Sequence, residues 1–254
     1  MHILVTNDDG VQAPGLLALA MEMKKLGTVT IFAPDRNWSA SGHVKTMERP
    51  LRVRETTLAD GSPAYTSDGA PSDCVALALL GLVEGQIDLV VSGINPNANI
   101  GHDVTYSGTV TAAMEAAIAG LPGIAVSLDS PNHGSALDYS TAASVARRVA
   151  EKVIKNGLPK GVLLNVNVPY LQEDMLKGYM VTRQGLRVYR DALDERIDPR
   201  GRPYYWIGGE APTGIDEPGT DFGALQAGYV SITPLKLDLT AREAMDALQK
   251  WEFS

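Results

Sequence analysis

Short apolar runs alternate with helix-like segments through the first half of the chain, and this alternation limits the possible folds more than any other feature. Apolar, β-branched runs occur at residues 3–5, 28–33 and 88–92, and each run leads into a turn-rich polar cluster. Between the first two runs, Pro14 opens a stretch in which apolar residues recur at helical spacing. Strands that alternate with helices favour an α/β fold, with a mostly parallel sheet and helices on both of its faces.

The same pattern continues along the chain. Residues 109–119 are rich in alanine and carry a single charge, at Glu115, which is typical of a well-buried helix. We therefore expect one Rossmann-like α/β domain spanning residues 1–254. Further helices are predicted at residues 71–80, 139–155 and 240–249, and further strands at residues 123–127, 161–168 and 229–235.

A segment rich in Arg, Asp, Pro and Gly, residues 187–219, interrupts this pattern and shows no helical period. It contains an aromatic cluster, Tyr204, Tyr205 and Trp206, which is too large to leave exposed on a monomer without a reason. We predict a projecting C-terminal hairpin, with residues 187–226 serving as an oligomerisation arm. The alternative is a long loop folded over its own domain.

Composition and charge exclude several classes of protein. The chain holds 22 Lys and Arg against 30 Asp and Glu, a net charge of −8, and lacks basic clusters, which argues against binding to a nucleic-acid duplex. The only cysteine, Cys74, excludes an intrachain disulfide and a cysteine-based zinc site. The longest strongly apolar run, residues 74–83, is shorter than the roughly 20 residues of a membrane span. Because the N-terminal residues do not look like a signal peptide, we expect a cytoplasmic protein with no membrane partner.

Polar residues cluster just past three of the predicted strands, at residues 7–10, 35–41 and 92–108. Ligands of open α/β sheets bind outside the carboxyl ends of the strands, so these clusters are expected to form one site. Asp8 and Asp9 are adjacent carboxylates, an unfavourable arrangement unless they share a cation or are simply solvated in a turn. The four histidines do not fall at metal-ligand spacing, so oxygen ligation of magnesium, manganese or calcium is the favoured chemistry.

The third polar cluster is the most unusual segment of the chain. It is punctuated by glycines and ends in Ser107, Gly108 and Thr109 at a predicted helix N-terminus, where free N–H groups and the helix dipole favour a phosphate. Ser107 is equally well explained as a helix N-cap. The chain has neither the P-loop nor the dinucleotide-binding fingerprint, and the G-x-S-x-G nucleophile motif is also absent.

A series of ordered sequence blocks carries a resemblance to a known family. They are residues 3–10 (ILVTNDDG), 33–37 (APDRN), 68–75 (DGAPSDCV), 92–95 (SGIN), 106–110 (YSGTV), 165–169 (NVNVP), 204–206 (YYW) and 231–234 (SITP). Through these blocks the chain resembles the SurE family of stationary-phase survival proteins, which are metal-dependent 5′/3′-nucleotidases. The resemblance extends over nearly the whole chain.

The resemblance implies one divalent metal ion per subunit, Mg²⁺ or Mn²⁺, with Ca²⁺ as a bound surrogate. Its ligands would be Asp8, Asp9, the Ser39 hydroxyl and the Asn95 side-chain amide, all of which offer oxygen. Asp8 and Asp9 would also be the catalytic residues, acting as nucleophile or general base, and the sequence does not choose between these roles.

The resemblance further implies that Asn99, Ser107, Gly108 and Thr109 hold the substrate phosphate. The expected substrates are nucleoside 5′- and 3′-monophosphates, with short polyphosphates as further candidates, and the expected assembly is a homodimer or a dimer of dimers. One departure from the family pattern is Asn97, where a glycine is expected. Asn tolerates a positive φ, so the loop is expected to keep its shape while the side chain narrows the pocket.

Two rival functions remain at this stage. One is a phosphatase that forms an aspartyl-phosphate, although that chemistry usually shows Asp-x-Asp after the first strand, where this chain has Asp8 and Asp9 in sequence. The other is a non-catalytic nucleotide or anion sensor that uses the same pocket. The sensor is disfavoured because two carboxylates without a cation would repel an anionic ligand.

Overall fold

The computed structural model describes residues 1–130 and 136–251, and its strands and helices alternate along the chain. The strands are β1 (His2–Thr6), β2 (Thr28–Pro34), β3 (Val53–Thr57), β4 (Pro63–Ser67), β5 (Leu89–Asn95), β6 (Gly123–Asp129), β7 (Val162–Pro169), β8 (Tyr179–Val181), β9 (Arg187–Ile197), β10 (Pro203–Gly214) and β11 (Val230–Lys236). The helices are α1 (Pro14–Met23), α2 (Pro71–Leu77), α3 (Gly108–Ile118), α4 (Ser140–Asn156), α5 (Asp221–Gln226) and α6 (Arg242–Leu248).

Within the described residues, a nine-stranded sheet has the order β3-β4-β2-β1-β5-β6-β7-β11-β8. The strands from β2 to β7 in this order run parallel to one another, whereas β3 and β11 are antiparallel to β4 and β7. β1 is central: Ile3 pairs with Val29 of β2 on one side and with Leu89 of β5 on the other. The predicted mostly parallel α/β sheet is therefore confirmed.

Both faces of the sheet are covered by helices, because successive side chains of a strand point to opposite faces. Ile3 and Val5 pack in one apolar cluster with residues of α1 and α4, whereas Leu4 between them packs in a second cluster with residues of α2 and α3. All three side chains are fully buried, and each such burial stabilises the fold by roughly 1.5–3 kcal/mol.

β3, β4, β8, α5 and the end of α2 depart from the predicted elements. β3 was not predicted because it lies at the edge of the sheet and its residues are largely polar and exposed, and β4, between β3 and β2, was not predicted because it forms no continuous apolar run. The predicted helix 71–80 is wrong at its C-terminal end: α2 ends at Leu77 and continues as a π-helical turn, Ala78–Leu82. Gly81 in that turn has φ +107°, which breaks the helical conformation.

β9 and β10 form an antiparallel hairpin that is separate from the large sheet, as predicted for the arm. Apolar side chains of this hairpin are exposed to solvent, including Leu193 at 71% and Ile207 at 87% exposure. The projecting part ends at Gly214, because α5 lies within the predicted arm segment 187–226 but is largely buried and packs against β11 and β7. Hereafter, the arm means residues 187–214.

In the described part of the chain, no helix combines the length and the apolar character that crossing a membrane requires. The cytoplasmic location stays a prediction. His133, one of the four histidines weighed above, lies outside the described residues.

Candidate active site

The predicted site residues come together where β2, β1 and β5 end, because these three strands are adjacent and parallel. A cleft of about 620 Å³ opens at this edge of the sheet. Its wall includes five of the predicted residues: Asp8, Ser39, Asn95, Asn99 and Ser107. Side chains from three separate stretches of sequence thus face one cavity, as ligand binding at the carboxyl ends of strands requires.

A second groove, of about 660 Å³, runs along β2, β3 and β4. The carboxylate in its wall, Glu55, is exposed to solvent, and no residue of that wall is a buried acid. Size alone would favour this groove, but the buried carboxylate of Asp8 identifies the first cleft as the candidate site.

Asp8 is 3% exposed and is held by α3. The Thr109 hydroxyl donates a hydrogen bond to Asp8 Oδ1 at 2.5 Å. Burial raises the pKa of Asp8, and the hydrogen bonds from Thr109 and from the backbone of Gly108 offset only part of that rise. A carboxylate that carries its charge here needs a compensating positive partner.

Asp9 lies beside Asp8 but is not among the residues that line the cleft. Burial, together with the neighbouring charge of Asp8, raises the pKa of Asp9 to about 7. Burial and the charge of Asp9 also raise the pKa of Tyr139. Two adjacent acids with raised pKa values mark a position that lacks positive charge, and a bound cation would reverse both shifts.

Ser39 lies in a loop in which three backbone N–H groups donate hydrogen bonds. The Trp38 N–H donates to the Asp8 carbonyl oxygen at 2.7 Å, and the Ser39 N–H donates to Asn37 Oδ1 at 2.7 Å. The Gly42 N–H donates to the Tyr106 carbonyl oxygen at 2.9 Å. These hydrogen bonds hold the loop that follows β2 against Asp8 and against Tyr106, which lies just before α3.

The Asn95 side chain is oriented by its own loop, because its Nδ2 donates to the Asn97 carbonyl oxygen at 2.6 Å. Among the described residues its Oδ1 accepts no hydrogen bond, so this oxygen remains available as a ligand. Over the same residues, no group of three or more His, Cys, Asp or Glu side chains could hold a metal ion. A metal here needs hydroxyl and amide oxygens in addition to carboxylates, and Ser39 and Asn95 fit that donor set.

Asn99 is anchored by a buried polar network that the sequence analysis missed. Its Nδ2 donates to Ser127 Oγ at 2.8 Å, and its N–H donates to Asn167 Oδ1 at 2.8 Å. Its carbonyl oxygen accepts hydrogen bonds from Nδ2 of Asn165 at 2.7 Å and of Asn167 at 3.1 Å. The available signal was the alternation Asn-Val-Asn-Val in β7, which places two buried amides on one face of a strand.

The remaining predicted phosphate ligands divide into two groups. Ser107 lines the cleft and is also the N-cap of α3, since its Oγ accepts the Val110 N–H at 3.1 Å. Gly108 and Thr109 do not line the cleft and instead contact Asp8. The N-terminus of α3 therefore packs against Asp8 and donates a hydrogen bond to its carboxylate.

With this geometry established, comparison with known proteins identifies the chain. A family model described as "Survival protein SurE" matches residues 3–191. The chain belongs to the SurE family.

Individual SurE proteins are similar over nearly the whole length. A protein from Herpetosiphon aurantiacus named 5′-nucleotidase SurE is 57% identical over 94% of this chain and 94% of its own length. A protein of the same name from Chloroflexus aggregans is 52% identical over 100% of both chains. The crystal structure of the SurE protein from Aquifex aeolicus superimposes with a TM-score of 0.82 at 41% identity, covering 98% of each chain.

The predicted site residues supply part of the lining of the cleft, and further lining residues come from segments that the sequence analysis did not assign to the site. These include Asp129 at the end of β6, Arg187 at the start of the arm and Phe222 in α5. Burial raises the pKa of Asp129, and the positive charge of Arg187 offsets part of that rise. No local motif marks these residues, because only the tertiary fold brings them to the cleft.

Asn97, the departure from the SurE pattern, lines the cleft as expected. Its φ is not positive, since Ala40 is the only non-glycine residue with positive φ in the described part of the chain, so the tolerance of Asn for that conformation is not needed here. Asn97 therefore introduces no backbone strain. Its effect on the site is confined to the space that its side chain takes.

Proposed function

We propose that this SurE protein hydrolyses nucleoside 5′- and 3′-monophosphates to a nucleoside and inorganic phosphate, using one divalent metal ion, Mg²⁺ or Mn²⁺, per subunit. The observation that carries the proposal is the buried carboxylate of Asp8, which shares a cleft with the oxygen donors Ser39 and Asn95. Relatives at 57% and 52% identity bear the name 5′-nucleotidase, which supports the same activity.

Asp8, Asp9, Ser39 and Asn95 would hold the metal ion. When bound, such an ion supplies Lewis-acid polarisation of a phosphoryl oxygen. Support for these ligands comes from their oxygen chemistry and from the raised pKa values of the two acids. Thr109 keeps Asp8 oriented toward the cleft, so its contribution to activity is exerted through Asp8.

Asn99 and Ser107 would bind the phosphate directly. One amide hydrogen of Asn99 is used by Ser127, which leaves the second for a phosphoryl oxygen. The Ser107 hydroxyl accepts from Val110 and keeps its own hydrogen for donation. Both donors are held in place before substrate arrives, so binding of the phosphate does not require them to be ordered first.

One of the two carboxylates, Asp8 or Asp9, would take a proton from the attacking water. In the alternative, one of the two carboxylates attacks phosphorus directly. Acid quenching during turnover of ³²P-labelled nucleotide distinguishes these routes. We expect no phosphoenzyme, and a trapped aspartyl-phosphate would establish direct attack.

The proposed activity is tested by phosphate release from a panel of 5′- and 3′-nucleoside monophosphates. The protein is first treated with a chelator and then supplied with Mn²⁺ or Mg²⁺. We expect release only with added metal. Nucleotide binding without phosphate release, in the presence of bound metal, would instead support the sensor.

We also propose that the arm mediates a homodimer or a dimer of dimers. The proposal is supported by apolar side chains that stand in solvent along it, with Trp206 at 60% exposure beside Ile207. Light scattering of the protein carrying Trp206→Ser and Ile207→Ser tests it. We expect a lower mass than that of the parent protein, and an unchanged mass would exclude this contact.

A further inference from the structure

The loop that carries Asn99 packs directly against residues 183–186, which precede the arm and are called the arm root below. Gly101 in this loop has φ +52°, and a Cβ added to it would lie 2.8 Å from the carbonyl oxygen of Gly185. The two backbones therefore approach without a side chain between them. The Gln184 side-chain amide crosses the same contact and donates to the Gly101 carbonyl oxygen at 2.8 Å.

Asp221 forms the first of two hydrogen-bonded links, called ties below, between the loop and the arm region. Its side chain is fully buried, and its Oδ2 accepts the Gly101 N–H at 2.8 Å. Its Oδ1 accepts the Gly185 N–H, also at 2.8 Å. One carboxylate thus joins two segments that lie far apart in sequence, and hydrogen bonds to a charged acceptor are stronger than neutral ones.

Asp103 forms a second tie, to the arm itself. Its Oδ2 accepts from Arg187 Nε at 2.6 Å, and its Oδ1 accepts from the Tyr189 hydroxyl at 2.5 Å. Arg187 also donates to the Pro212 carbonyl oxygen at 3.2 Å and so links both strands of the arm to this carboxylate. Both oxygens of Asp103 are therefore occupied within the protein.

We infer that Asp103 and Asp221 are positioning residues that couple the arm to Asn99, so that the placement of the arm sets the affinity of the cleft for nucleotide. Asn99 is two residues from Gly101, and its own N–H is held by Asn167. The loop is thus held by the sheet at Asn99 and by Asp221 at Gly101, and a shift of the arm would strain the two-residue segment between these points and displace the phosphate donor. The inference rests on the proposed function, because it assigns Asn99 to the substrate.

The test variant is Tyr189→Phe, which removes one hydroxyl from the second tie and keeps the ring. Tyr189 is not among the residues that line the cleft, and its hydroxyl donates to Asp103, which does line it. We expect KM for a nucleoside monophosphate to rise roughly fivefold while kcat stays within about twofold, because a displaced Asn99 weakens binding of substrate and transition state alike.

Arg183→Gln is the matched control. Arg183 lies at the same arm root and forms an ion pair with Glu217, but its side chain does not reach the loop. We expect KM and kcat of this variant to equal those of the parent protein. A rise in KM in the control as large as in Tyr189→Phe would overturn the inference.

A double-mutant cycle identifies the route of the effect. If Tyr189 acts through Asn99, then Tyr189→Phe adds no further rise in KM to a protein that already carries Asn99→Ala. An equal rise in both backgrounds contradicts the coupling.

Amide hydrogen exchange provides a readout that does not depend on activity. We expect the Gly101 amide to exchange faster in Tyr189→Phe than in the parent protein and in Arg183→Gln. Unchanged exchange would overturn the coupling. If the parent protein hydrolyses no nucleotide, the proposed function fails, whereas the exchange experiment still decides whether the arm holds the loop.

Discussion

Gly108 lies against Asp8 so closely that a Cβ at residue 108 would sit 2.6 Å from the Asp8 Cβ. The first turn of α3 can therefore reach the Asp8 carboxylate only because residue 108 has no side chain. Thr109 follows and donates its hydroxyl to the same carboxylate. The N-terminus of α3 and the end of β1 thus form one unit, although 100 residues or more separate them in sequence.

Replacing Gly108 with alanine forces α3 and Asp8 apart. We expect turnover to fall by about 100-fold, because a displacement of about 1 Å at a reacting centre has this effect, and unfolding to become easier by about 1–3 kcal/mol. Steady-state kinetics and thermal unfolding measure the two effects. The control is Gly208→Ala, since the nearest atom there would be 3.7 Å from the new Cβ. Normal turnover in Gly108→Ala would contradict the close packing.

Asp8→Asn removes the charge at the centre of the proposed metal site. We expect metal-dependent phosphate release to fall by about 100–1000-fold. The same change should stabilise the metal-free protein, because a buried and uncompensated negative charge is lost. Thermal unfolding at pH 8 in the presence of a chelator measures this gain. Asp238→Asn, at the protein surface, is the control, and full activity in Asp8→Asn would exclude the assigned site.

Binding of Mn²⁺ or Mg²⁺ should raise the melting temperature of the parent protein. A ligand at 100 times its Kd stabilises the state that binds it by about 2.7 kcal/mol. Asp8→Asn should show no such rise, and Asn95→Ala a smaller one than the parent protein. Equal metal-induced shifts in all three proteins would place the ion elsewhere.

Glu115 should make the stability of the protein depend on acid pH. Hydrogen bonds from His43 and Lys45 hold the pKa of Glu115 below its ordinary value of 4.5. A lowered folded-state pKa adds stability above the unfolded value, and this stability is lost as pH falls through the folded-state value. Glu115→Gln should therefore lower the unfolding free energy at pH 7 by about 1–2 kcal/mol.

The measurement compares chemical unfolding of the parent protein and Glu115→Gln at pH 7 and below pH 4. We expect the difference between them to shrink in acid. Glu48→Gln serves as the control, since Glu48 is exposed. A difference that does not change with pH would show that the charge of Glu115 has no part in holding residues 43–45.

The parallel strands and the covering helices could be predicted from the sequence because strands of the sheet interior are continuous apolar runs. The edge strands β3 and β8 could not, since edge residues are partly exposed and need no such pattern, and β4 was missed because its five residues include proline, threonine and serine and form no apolar run. The hairpin of β9 and β10 was predicted from the high Arg, Asp, Pro and Gly content of residues 187–219. That α5 packs back on the sheet depends on contacts with β7 and β11, which no local pattern reports.

The sequence by itself determined the fold class, the family and the side of the cleft built from Asp8, Ser39, Asn95 and Asn99, because these residues follow strands whose order and ends can be recognised locally. Only the tertiary structure decided that Thr109 and Gly108 contact Asp8, and that Asp103 and Asp221 tie the Asn99 loop to the arm. The physical reason is that such hydrogen bonds and backbone approaches depend on distances across the folded chain. Local spacing and propensity carry no information about those distances.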